Sequence, residues 1–330
     1  MALTGFASPA WAGQNDASIR LPQGHLALAS GRLKGALPLL HTPAWALHSD
    51  LHGDLATQEA LLEEVVLLPH TTKVLDLGPR AHAGLKPPHG WTEVRRHTRQ
   101  VTLPFEGALT LPKTREKQAR RFEREGGTVA VDTGHAQVAW SHVERLHAAS
   151  RDRKGLASHQ HRLAPLLQRL ATESWTFAVT AANAKGKVIA SGGFVLLPCG
   201  TCVYAFGGQE RSKDSGRASV AMLCEAMRTA QRMGATTFDF GGSQDAGVDK
   251  FYAEFGGVPV AMRRWVNAPV WFRWVFPKTW SAWTTPSRVL DAGSVAPLLV
   301  KSSGCADVLV RTSNCPTVRS TRVGRRRRMF

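Results

Sequence analysis

Thr236-Thr237-Phe238-Asp239-Phe240-Gly241-Gly242-Ser243, followed three residues later by Gly247-Val248-Asp249-Lys250-Phe251-Tyr252-Ala253-Glu254-Phe255-Gly256-Gly257, decides the fold. It reads as a strand, a glycine elbow, an amphipathic helix and a glycine stop. Alternation about Asp239 sends Phe238 and Phe240 to one side and the carboxylate to the other. Val248, Phe251 and Phe255 then recur on one helical stripe, and Gly256 stands where a left-handed cap is wanted. Polar side chains gather at the elbow and beside the stripe, as in a reaction cleft at the end of a sheet.

Outward from this stretch the pattern is α+β. Residues 217–233 form a long helix whose Val220, Leu223, Cys224, Met227 and Ala230 make its buried face, stopped by Gly234. Residues 175–181 and 187–197 pair as strands across 183–186, and 202–207 extends that sheet. Helices are predicted at 114–125, 139–150 and 162–172, with a strand at 129–131. In the first hundred residues, 25–29 and 33–40 read as two strands about a turn at Ser30-Gly31-Arg32. Residues 57–68 read as a helix capped by Thr57, 74–77 as a strand, 79–88 as loop and 92–103 as a strand crossing between halves. The resulting order implies a mixed sheet flanked by helices.

The 330 residues carry 42 Lys or Arg against 25 Asp or Glu, a formal charge of +17. Residues 267–330 hold eleven cations against Asp291 and Asp307, ending in Arg325-Arg326-Arg327-Arg328. Such a tail is either a solvated segment or an attractor of RNA, anionic lipid or anionic glycan. Four tryptophans and two phenylalanines interleave with Arg273 and Lys278 over 268–285, which suits a membrane interface or a helix clamped back over the first domain. Pro269 and Pro277 interrupt that run, and no stretch reaches the roughly 18 to 20 apolar residues of a membrane span. With no secretory signal and five irregularly spaced cysteines, a cytoplasmic location is expected, peripheral to the inner membrane face if the tail binds lipid. Cys199-Gly200-Thr201-Cys202 reads as a hairpin turn. His159-Gln160-His161 lacks a carboxylate partner at metal spacing, so no metal is expected.

Two motifs carry a family resemblance: residues 238–243 with Lys250-Phe251-Tyr252-x-x-Phe255-Gly256-Gly257, and Leu111-Pro112-Lys113-x-Arg115 through Ala119-Arg120-Arg121 to Glu125-Gly126-Gly127. Together they resemble the FemAB-like (peptidoglycan bridge aminoacyltransferase-like) branch of the GNAT acyltransferases. The resemblance covers residues 100–266 well and the first hundred loosely. It implies two tandem GNAT-like domains, a reduced one at 1–104 and a catalytic one at 105–266, with 267–330 as an aromatic and basic appendage. It also implies N-acyl transfer from acyl-CoA or acyl carrier protein to a primary amine of a cell-envelope or small-molecule acceptor, with no permanently bound cofactor. The alternatives are aminoacyl transfer from tRNA to a peptidoglycan precursor, or an anion-binding module that keeps the fold without catalysis.

The same resemblance places the donor pyrophosphate at Lys213, Ser215, Gly216, Arg217, Ala218 and Ser219, on the N–H groups of a helix start. An ordinary capped helix start explains Asp214 and Ser215 equally well. Tyr252 is the candidate acid, protonating a leaving thiolate or bonding the oxyanion, or else a half-buried amphipathic residue. Fem-type enzymes carry Lys where Tyr252 stands, a departure that points away from aminoacyl-tRNA. Asp239 would orient the acceptor amine or a relay water, or bond N–H groups of the elbow. Ser243, Gln244, Lys250 and Tyr204 are the candidate acceptor contacts, with Lys250 and Glu254 spaced as a surface ion pair.

Overall fold

A ten-stranded mixed sheet organises the computed structural model, which describes residues 4–11, 18–134, 137–156, 159–242 and 245–286. The chain begins with a small antiparallel pair, β1 (Ser18–Leu21) and β2 (Gly24–Ala27), followed by β3 (Ala29–Leu33), β4 (Leu37–His41), α1 (Leu55–Leu67), β5 (Thr72–Leu77) and β6 (Thr92–Thr102). Next come α2 (Lys113–Arg124), β7 (Thr128–Asp132), α3 (Gln137–Arg153), α4 (Gln160–Leu170), β8 (Thr176–Ala182), β9 (Val188–Leu196) and β10 (Thr201–Gln209). It continues through α5 (Ser215–Arg232), β11 (Thr237–Asp239), α6 (Ala246–Ala253), β12 (Val258–Asn267), α7 (Phe272–Val275) and α8 (Pro277–Thr284). The large sheet runs β3-β4-β5-β12-β6-β11-β10-β9-β8-β7, parallel only at β4–β5 and β10–β11. This is the expected α+β class with a mixed sheet.

Helices cover both faces of the β7–β11 half, which is why β8 and β9 are almost continuously apolar. On one face α2 and α5 pack Phe122, Met222, Leu223 and Met227 against Phe177, Phe194, Phe238 and Phe240. On the other, α3 and α4 set Trp140, Val143, Leu163 and Leu167 against Ala178, Val195 and Phe206, with Phe6 and Trp11 closing the edge. A third cluster joins Leu61, Leu62 and Val65 of α1 to Leu40, Leu75, Leu77 and Trp265.

Several local expectations shift. The hairpin turn lies at Lys34-Gly35, both at positive φ, while Ser30 and Gly31 pair within β3 against Leu40 and Leu39. Helix α1 is capped by Asp54, whose carboxylate accepts from Thr57 N–H at 2.9 Å, so Thr57 sits inside the first turn. Strand β12 has no counterpart in the sequence expectations. It inserts between β5 and β6, pairing Val258–Val266 with Gln100–Thr92 and Arg263–Asn267 with Leu77–Lys73. A late strand thus completes the sheet of the first hundred residues. Of the aromatic stretch, Phe272 is fully buried and stacks on Trp283 at 5.2 Å, whereas Val270, Trp271, Trp274 and Val275 stay exposed. Residues 287–330, with the basic tail, lie outside the described residues, as do Ser243 and Gln244.

Glycine allows α3 to approach the sheet. A Cβ on Gly208 would lie 2.1 Å from the Leu146 carbonyl oxygen and 2.7 Å from His147 N, both backbone atoms that cannot swing away. Gly208→Ala is therefore expected to lower unfolding stability by about 1–3 kcal/mol. Gly216→Ala, facing open space, should be neutral or stabilising by up to about 1 kcal/mol. Paired urea melts check both.

Candidate active site

The parallel pairing of β10 with β11 spans only Thr201–Val203 against Thr237–Asp239. Beyond that point β10 continues to Gln209, paired with β9 alone, so its other edge is left without a neighbouring strand among the described residues. A bulge between Tyr204 and Phe206 turns the backbone where the strands part. The elbow turns away through Gly241 and Gly242, at φ +82° and +70°. A Cβ on Gly241 would sit 2.6 Å from the Tyr204 carbonyl oxygen, so only glycine fits there.

Helix α6 then runs back against β6, held by one buried carboxylate. Asp249 is 5% exposed and accepts two hydrogen bonds from Arg99, from Nε and Nη2, each at 2.7 Å. His97 Nε2 lies 3.0 Å from the same carboxylate, and Arg99 Nη1 donates to Gly257 O at 2.9 Å. The Arg99 bonds first, with His97 behind them, hold the Asp249 carboxyl below the usual carboxylate range, against the opposing effect of burial. At the helix start Asp245 accepts from Gly247 and Val248 N–H groups. Arg115 of α2 closes the far side, its guanidinium 5.0 and 5.1 Å from the Phe251 and Phe255 rings and paired with Glu254. Glu254 is therefore Arg115's partner, not Lys250's.

A cleft of about 480 Å³ opens here. Tyr204, Ala205 and Gly207 of β10, the elbow glycines, Val248 and Tyr252 form one wall, and Trp45, Ala46 and Leu47 face them. His147, Ser150, Arg151 and Lys154 come from α3 and its end, and Arg96, Asp76 and Arg264 from the central strands. Arg96 and Arg264 share the single Asp76 carboxylate, at 2.8–2.9 Å, so the wall is net cationic. The Tyr252 ring stacks on Phe240 at 4.7 Å and meets Tyr204 edge-on at 6.5 Å. Neither hydroxyl has a hydrogen-bond partner among the described residues. Burial pushes both phenols well above their ordinary pKa, and the Asp239 and Asp245 charges push Tyr252 further.

The residues predicted from sequence fall in three places. Tyr252 and Tyr204 line the cleft. Asp239, 1% exposed, accepts from Thr98 Oγ1, from Gln100 Nε2 at 2.7 Å and from Gly241 N–H at 2.8 Å. It therefore ties the elbow to β6, and burial raises its pKa despite these bonds. Lys250 is exposed on α6 and does not line the cleft. At the start of α5, Ser215 Oγ takes up Ser212, and Ser219 Oγ donates to Gln209 Oε1. Arg217 is held by Asp214 at 2.7 Å and Glu125 at 2.9 Å, so its charge is already compensated. Gly216 is open, Ala218 buried, and Lys213 exposed.

Sequence reasoning missed His147. Its Nδ1 lies 3.3 Å from Gly207 O, while its Nε2 is buried with no partner among the described residues. The signal was present in Gly207-Gly208: a glycine pair on a central strand marks close approach by another element.

Residues 113–253 match the acetyltransferase (GNAT) domain family. Residues 113–253 have the GNAT fold. Among solved structures, FemX superposes with a TM-score of 0.56 at 12% identity, over 78% of this chain and 91% of FemX. L-PGS from Bacillus licheniformis gives 0.55 at 11% identity, covering 80% of this chain and 88% of that one. At such identities the likeness is one of fold, and the fold is the one shared with FemX and L-PGS. No curated protein sequence matches the chain. Among the described residues no group of side chains is arranged to hold a metal, and no helix is long and apolar enough to cross a membrane.

The GNAT elbow depends on the Asp249 clamp. Asp249→Asn is expected to cost about 3 kcal/mol near pH 7, because Arg99 is left partly buried without its counter-charge. The folded carboxyl is depressed, so its contribution is present above the ordinary carboxylate pKa and lost as pH falls through the lower folded value. The gap between variant and wild type should therefore narrow as urea unfolding is repeated at pH values descending through the ordinary carboxylate range.

Proposed function

We propose that the protein is an N-acyltransferase that moves an acyl group from acyl-CoA or acyl carrier protein to a primary amine of a cell-envelope or small-molecule acceptor. The observation that carries this reading is the Tyr252 hydroxyl, unpartnered among the described residues, on a cleft that also exposes the unpaired edge of β10. A thioester carbonyl laid along that edge meets main-chain N–H donors, which stabilise the oxyanion formed as the amine attacks. The phenol keeps its proton through the neutral range. It reprotonates the expelled thiolate against its own raised pKa, a step drawn forward by the return of a proton to the phenolate. Asp239 serves this chemistry indirectly, by fixing the elbow.

For the donor's phosphates, the N–H groups of Gly216 and Arg217 take no acceptor among the described residues at the positive end of α5, with exposed Lys213 beside them. Ser215 and Ser219 shape the turn rather than face outward, and Arg217 orients the loop through Glu125. A second reading, aminoacyl transfer from tRNA, draws on the fold shared with FemX and on the cationic cleft wall. Tyr252 in place of the Lys of Fem-type enzymes favours the thioester donor. Exposed Trp271 and Trp274, flanking Arg273, support a cytoplasmic enzyme peripheral to the membrane.

Calorimetric titration with CoA and with short and long acyl-CoAs should give saturable binding at micromolar ligand. No binding at high micromolar ligand would remove the thioester donor, and binding without turnover on any amine would favour the non-catalytic module. Where turnover is measured, Tyr252→Phe should lower kcat by about 100-fold or more with little change in KM. Unchanged kcat would remove Tyr252 from the chemistry.

A further inference from the structure

We infer that His147 is the base that takes the proton from the acceptor amine, an inference that rests on the acyl-transfer reading above. Three observations converge on it. The imidazole lines the same cleft as Tyr252. Its Nδ1 sits 3.3 Å from the Gly207 carbonyl, an acceptor only, so Nδ1 carries the hydrogen and the free lone pair belongs to Nε2. That Nε2 is buried and has no hydrogen-bond partner among the described residues. A buried lone pair without a donor is costly unless something else satisfies it, and an amine N–H of the substrate is the group a transfer cleft supplies.

The fold fixes this position from two sides. Gly208 brings the α3 backbone at Leu146 and His147 against β10, closer than any side chain would permit. The Phe206 ring meets the imidazole edge-on at 6.0 Å and limits its rotation. Around it, Arg151 and Lys154 follow on α3 and its end, while Tyr204 and Tyr252 face it from β10 and α6. The Asp76 carboxylate and the guanidinium groups of Arg96 and Arg264, bonded to one another, also line the cleft. Burial, and after it the Arg151 charge, hold the imidazole below its ordinary pKa, and the Gly207 bond opposes them only in part. It is therefore neutral near pH 7, as a base must be.

In the transfer, the amine nitrogen bonds to the thioester carbon and gives one proton to His147 Nε2. The C–S bond breaks, and the thiolate takes the Tyr252 proton. The imidazolium returns its proton to the phenolate through cleft water, leaving amide, free thiol and unchanged enzyme.

The test uses the full-length protein labelled with 15N-histidine and long-range 1H–15N spectra recorded across the neutral pH range, His147 being assigned by comparison with His147→Gln. A neutral ring protonated at Nδ1 at neutral pH is expected, and an imidazolium or an Nε2-protonated ring overturns the inference. In parallel, acetyl-CoA is turned over with a panel of primary amines. His147→Gln should lower kcat/KM by about 100-fold or more and remove an acid limb lying below the ordinary histidine pKa, while CoA affinity and melting temperature hold. His147→Ala should regain activity with added imidazole. If wild type transfers and His147→Gln keeps both rate and limb, the inference fails and the transferase reading stands. If wild type acylates no amine, both fall.

Discussion

The Asp249 carboxylate, held by both arms of Arg99 and by His97, is the constraint on which the site depends. It ties a helix of eight residues, too short to be stable alone, to the central strand β6. Without that tie α6 loses its bonds to β6, and Tyr252 rides on α6. Asp239 works from the other end of the same elbow, bonding Thr98 and Gln100 of β6. Two buried carboxylates bonded to one strand thus set the angle at which the chain departs from β10. The gap they hold open lies along β10 beyond Val203, where no second strand pairs with it among the described residues.

Close packing at Gly208 complements this. One wall is held away by the elbow, while the other, α3, is drawn in until its backbone touches β10. His147 and Tyr252 arrive in one cleft because the first wall is bonded outward and the second is packed inward. Each depends on backbone geometry more than on loop conformation, which suits a site that must hold groups in fixed relation.

Much of this was legible in the chain. The Phe238–Phe240 alternation, the elbow glycines and the Val248–Phe251–Phe255 stripe all appear where periodicity puts them, because each is local. The stripe on α5 is buried as its spacing required. Other features were hidden because they are non-local. β12 carries Pro259, Arg263 and Arg264, which mask its strand pattern, and its partners β5 and β6 lie far back in the first hundred residues. Asp249 reads as a surface residue on an amphipathic helix until β6 supplies Arg99. Arg217 reads as a phosphate ligand until Glu125 occupies it. His147 was one of thirteen histidines, and only the approach of α3 to Gly208 singles it out.

Hydrogen exchange with and without saturating CoA tests the central claim most directly, because it reads the backbone donors themselves. Slowed exchange over residues 204–209 and at the first turn of α5, with the rest of the sheet unchanged, is the predicted result. Bound CoA that protects another surface and leaves the β10 edge exchanging at its free rate would contradict it.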